Sequence, residues 1–113
     1  MKIIDVKDSL LNWNGVKCLN HPSATDSKWS YDLPNGGHIL FSFVSKRYSK
    51  VEVLLPMPDN EKNLGLCETL GYGGDCSEML GYFTALARLF AQNKNEDCWI
   101  FVNHLFRAYR QPR

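Results

Sequence analysis

Apolar and polar positions recur at helical or strand spacing in several stretches of the chain. Ile3, Val6, Leu10 and Trp13 recur at helical spacing, which predicts an N-terminal helix closed by Asn14-Gly15, two residues that tolerate the left-handed conformation. A short strand over Lys2 to Val6 is the competing reading, because so brief a run fits either period. Val16 to Ser27 mixes Asn, Pro, Ser, Thr and Asp with few apolar residues and reads as a connecting loop. Trp29 to Leu33 then alternates at period two, and Pro34-Asn35-Gly36-Gly37 has the residues of a turn. Beyond it, His38 to Val44 sets Ile39, Phe41 and Phe43 on one face. Val51, Val53 and Leu55 repeat the pattern after a polar tip at Ser45 to Lys50. These runs predict a three-stranded antiparallel meander with one apolar face to be covered.

Pro56-Met57-Pro58 ends the meander, since proline cannot donate to a ladder. Asp59 to Asp75 carries a net charge of −3 and reads as an acidic loop, with room for a short helical turn around Leu64 to Leu70. Met79, Phe83, Leu86 and Phe90 mark a helix over Ser77 to Gln92, with Asp75 at the N-cap position and Glu78 three residues on. Cys98 to Gln111 opens with β-favouring Trp99 to Val102 but places Asn103, His104, Arg107, Arg110 and Gln111 on one helical face. The helix is preferred there because arginines near its end suit the helix dipole. The expected fold is α+β, in the order α-β-β-β-α-α, with the helices packed on one face of the three-stranded meander.

Length and composition add bounds. At 113 residues the chain matches one domain, and 44% hydrophobic residues suffice for a core. A net charge of +1 gives no whole-molecule field for nucleic acid or anionic lipid. Asp5 and Asp8 interrupt any apolar signal-peptide core, and no run reaches the ~20 apolar residues of a membrane span. A cytoplasmic location without membrane contact is expected, with Cys18, Cys67, Cys76 and Cys98 as thiols rather than a disulfide framework.

Tyr72-Gly73-Gly74-Asp75-Cys76-Ser77 is the segment with most chemical interest, because a cysteine in the first turn of a helix has its thiolate stabilised by unpaired N–H groups. Over about a dozen residues it resembles the Asp-Cys-Ser motif at the helix start of the NlpC/P60 cysteine peptidases. That resemblance implies a Cys76 nucleophile served by a histidine base, acting on an amide or acyl bond. Only 37 residues follow Cys76, and His104 falls within the predicted helix rather than on a downstream strand. In the permuted order of the lecithin retinol acyltransferase-like group the base precedes the cysteine, and His38 fits that order. Capping alone also explains the local pattern, with Cys76 a small buried residue.

Other features are weaker. Cys18 and His21 make half of a zinc motif without a second closely spaced pair, so no metal or other cofactor is expected. Lys46-Arg47-Tyr48-Ser49-Lys50 and the trio Arg107, Arg110 and Arg113 form basic clusters with interleaved tyrosines. No recognised nucleic-acid module accompanies them, and near-zero net charge argues against such a partner. The acidic loop is the leading binding surface, with Glu61, Glu68 and Asp75 to steer a basic protein partner and Tyr72 as an aromatic anchor. The function expected is therefore a small protein-binding module of the immunity or anti-defence inhibitor kind, with the Cys76 hydrolase as the alternative. Oligomeric state is left open.

Overall fold

The computed structural model describes residues 2–45, 48–73 and 76–107; the side chains of 66–73 and 105–107 fall outside that description. Element order is α1 (Ile3–Leu11), β1 (Val16–Cys18), β2 (Lys28–Asp32), β3 (His38–Ser45), β4 (Tyr48–Pro56), β5 (Leu64–Gly73), α2 (Cys76–Ala91) and α3 (Asn95–Arg107). The strands form one antiparallel sheet in sequence order, β1-β2-β3-β4-β5. The α+β class is as expected, but the sheet has five strands where the sequence pattern predicts three.

Both additional strands lie in segments that read as loops. Val16–Cys18 pairs with Trp29 to Tyr31 at one edge, and Leu64–Gly73 pairs along the whole of β4 at the other. The acidic loop is thus reduced to a short connection, and a strand replaces the helical turn suggested around Leu64 to Leu70. Two residues of β5, Cys67 and Glu68, lie between Leu66 and Thr69 where β4 has only Val53 between their partners Leu54 and Glu52. This is a β-bulge, and the broken alternation it causes hides the strand in the sequence.

Alternation in the central strands sorts residues as expected. Trp29, Ile39, Phe41, Phe43, Val51, Val53 and Leu55 are buried in one cluster with Val6 and Leu10 of α1, Met79, Phe83, Leu86 and Phe90 of α2, and Cys98 and Val102 of α3. Phe83 sits among rings, edge-on to Phe41 with centroids 5.7 Å apart and to Trp13 at 5.4 Å. Such pairs add to the area buried by each ring. At the far end of β4 the Pro56 carbonyl oxygen accepts hydrogen bonds from Trp99 Nε1 and Asn95 Nδ2, both 2.8 Å, which fasten the start of α3 to the sheet. Here the helix reading of the last segment holds over Asn95–Arg107, starting three residues before the expected Cys98; the expected end at Gln111 lies outside the described residues.

The β2–β3 hairpin positions the site described next. Leu33 donates its N–H to the Gly37 carbonyl, Gly36 donates to Leu33, and Asn35 Oδ1 accepts from the Gly37 N–H. Gly36 has φ +92°, a conformation glycine adopts without steric cost. Asp32 and His38 are thereby brought opposite one another.

Candidate functional site

All three helices cover one face of the sheet, and no described element covers the central part of the other. On this helix-free face Lys17, Leu19, Ser30, Asp32, His38, Leu40 and Leu54 line a shallow recess of about 210 Å³. Its floor is apolar, from Leu19, Leu40 and Leu54. The rim is a charge cluster centred on Asp32. Oδ1 accepts from Ser30 Oγ at 3.0 Å and lies 2.8 Å from His38 Nδ1, while Oδ2 is 3.1 Å from Lys17 Nζ.

Burial pushes the Asp32 carboxyl upward and is the largest single influence on it. Hydrogen bonds from His38, Lys17 and Ser30, with the charge of Lys17, together outweigh burial and hold its pKa below the ordinary value. The group is therefore an ionised acceptor at neutral pH. An acceptor-only carboxylate assigns the proton of the neutral imidazole to Nδ1, leaving Nε2 of His38 for an outside partner. The cluster fixes the direction of three polar side chains around an apolar floor.

Of the acidic-loop candidates, Glu61 lies in a different element from the backbone positions of Glu68 and Tyr72. Glu61 is exposed in the β4–β5 connection, beside Pro58, Lys94, Asn95 and Glu96. Glu68 lies at the β5 bulge, and Tyr72 pairs with Ser49 towards the opposite end of the same strand. Eight residues separate Leu64 from Tyr72, roughly 27 Å at strand rise, so Glu61 and Tyr72 do not share one loop. Asp75 and its capping role lie outside the described residues.

Cys76 is buried, 7% exposed, within the core at the first residue of α2. His38 is engaged with Asp32 on the helix-free face, so the sheet stands between the two. His38 is thus not placed to serve Cys76 as a base. His104 is exposed on α3. None of Cys18, Cys76 and Cys98 forms a disulfide, and among the described residues no His, Cys, Asp and Glu side chains gather as a metal-binding group. No described helix is long and apolar enough to cross a membrane.

Asp32, Lys17 and the three leucines were missed as site residues by sequence reasoning. One signal was available for Asp32 and His38: they flank the Leu33–Gly37 turn symmetrically, and symmetric flanking positions are cross-strand partners. Lys17 and Leu19 gave none, because β1 was not visible as a strand.

The fold and the recess define an α+β protein with a half-covered antiparallel sheet, a class that does not by itself carry a function. No family model matches the chain, and neither a curated protein nor a solved structure shows significant similarity to it.

Proposed function

We propose that the chain is a protein-binding module of the small inhibitor kind, which docks its partner on the helix-free face of the sheet. The observation that carries this reading is the recess itself. Its apolar floor of Leu19, Leu40 and Leu54 can take one apolar side chain, and the hydrogen-bonded rim of Lys17, Asp32 and His38 is ordered before a partner arrives. A preorganised apolar pocket inside a polar rim is the usual anatomy of an interface hot spot. Glu61 lies in the β4–β5 connection whereas Glu68 and Tyr72 belong to β5, so the weight moves from a single acidic loop to this recess.

Affinity capture from the native lysate tests the reading. Leu40→Glu and Leu54→Glu place charge on the recess floor without touching the core, whereas Glu61→Lys alters the distant connection. A captured protein lost with either leucine variant and retained with Glu61→Lys supports docking at the recess. Retention by both folded leucine variants would rule it out.

A further inference from the structure

The chemistry of the recess restricts the side chain that it can take. At about 210 Å³ it is smaller than ordinary small-molecule sites of ~300–1,000 Å³, so a single side chain of a partner fills it. A charged occupant of either sign is disfavoured by the rim. Lys17 Nζ and Asp32 Oδ2 lie 3.1 Å apart, so a carboxylate brought to the lysine also meets Asp32, and an ammonium brought to Asp32 also meets Lys17. Glu52 and Lys50, on the same face of β4 as Leu54, are likewise paired with each other at 3.3 Å.

What the rim has left is hydrogen-bonding capacity. Asp32 spends Oδ1 on Ser30 and His38 and Oδ2 on Lys17. His38 gives its Nδ1 proton to Asp32, which makes Nε2 of the neutral ring an acceptor, and among the described residues nothing donates to it. Leu54 is the cross-strand partner of His38 and Leu40 lies two residues further along β3, so this acceptor adjoins the apolar floor. An occupant that satisfies both must present an apolar body to the leucines and a neutral donor to Nε2. The indole of tryptophan and the phenol of tyrosine combine the two, and each usually finds a hydrogen-bond partner when buried. Indole matches a lone acceptor better, because its nitrogen only donates. Lys17, across β2 from His38, supplies a cation to the electron-rich face of such a ring, which unlike a carboxylate brings no charge against Asp32.

We propose that the recess recognises a neutral aromatic side chain with a donor at its edge, a tryptophan above all, seated on Leu19, Leu40 and Leu54 with its N–H on His38 Nε2. This occupant presupposes that the recess is the docking surface, and adds which residue of the partner anchors there. Phenylalanine would cover the same floor but leave Nε2 shielded from water without a donor, which costs binding energy.

Nuclear magnetic resonance titration of the labelled protein with the N-acetyl amides of tryptophan, tyrosine and phenylalanine tests the occupant. The methyl groups of Leu40 and Leu54 should shift with all three. The tryptophan amide should bind about fivefold more tightly than the phenylalanine amide, the worth of one net hydrogen bond. The Nε2 resonance of His38 should move with the tryptophan amide and not with the phenylalanine amide, a readout that needs no variant. His38→Phe, with the rest of its amide spectrum unchanged, should level the two affinities, and Leu40→Glu should abolish the shifts at Leu54. Equal affinity for the tryptophan and phenylalanine amides, tighter binding of acetate or methylammonium than of the tryptophan amide, or leucine methyls unmoved by every amide would each overturn this occupant. The docking surface itself stands or falls separately, with the lysate capture by the leucine variants.

Discussion

His38 Nδ1 and Asp32 Oδ1 lie 2.8 Å apart as cross-strand partners, closing the β2–β3 hairpin from its helix-free side. Because the folded Asp32 has a lowered pKa, its contribution to stability is fully present above the unfolded value of about 3.9 and is lost as pH falls through the folded value. The side chain is 46% exposed, so the effect belongs with surface ion pairs, roughly 0.2–1 kcal/mol. Urea unfolding of Asp32→Asn between about pH 3 and 7 should show a shallower acid loss of that size. An unchanged pH dependence would mean that the cluster does not stabilise the fold.

The Pro56 carbonyl provides a test of how α3 is held. Trp99→Phe and Asn95→Ala each remove one of its two donors and should cost about 1 kcal/mol in urea unfolding. Together they leave the acceptor without either partner, so the double variant should lose more than the sum of the two. Simple additivity would show that water replaces the lost donors.

Phe83 anchors the contact between α2 and the sheet through its packing on Phe41 and Trp13. Phe83→Ala should cost about 3–5 kcal/mol, a large part of the roughly 5–15 kcal/mol that holds a domain of this size. Thermal unfolding followed by circular dichroism should show a strongly lowered Tm or no cooperative transition.

In the β2–β3 turn, two neighbouring glycines should respond to alanine for different reasons. A Cβ at Gly37 would lie 2.6 Å from the Leu54 carbonyl oxygen, whereas one at Gly36 meets nothing but must adopt φ +92°. Gly36→Ala should therefore cost about 1–2 kcal/mol from backbone strain, and Gly37→Ala more, since β4 must move. A reversed order in denaturant unfolding would contradict this turn geometry.

Thiol accessibility follows from burial in a Cys67→Ser background. Cys18 is half-buried near the sheet edge, whereas Cys98 is enclosed and burial pushes its thiol up, with a smaller contribution from Asp97. Cys18 should label first, and Cys76 and Cys98 only at the rate of opening of the fold. Rapid labelling of Cys76 in the native protein would revive the nucleophile reading.

Much of the fold is legible in the sequence where one face of an element is buried. Met79, Phe83, Leu86 and Phe90 announce α2, and Ile39, Phe41, Phe43, Val51, Val53 and Leu55 announce two central strands, because burial of one face imposes a period. The signal fails for β5. Gly65, Gly71 and Gly73 supply no side chains to alternate, and the bulge at Cys67–Glu68 shifts the phase midway. A three-residue strand such as β1 is too short to show any period.

The sequence by itself determined the α+β class, the apolar faces and the turn that sets Asp32 opposite His38, since these depend on local periodicity and turn chemistry. Tertiary structure decided that the supposed acidic loop is an edge strand, that Cys76 and His38 are separated by the sheet, and that Lys17, Leu40 and Leu54 share a face. Each of these depends on the pairing register between distant segments. Register is chosen by the energy of the whole sheet, and a shift of one residue would turn every side chain to the other side.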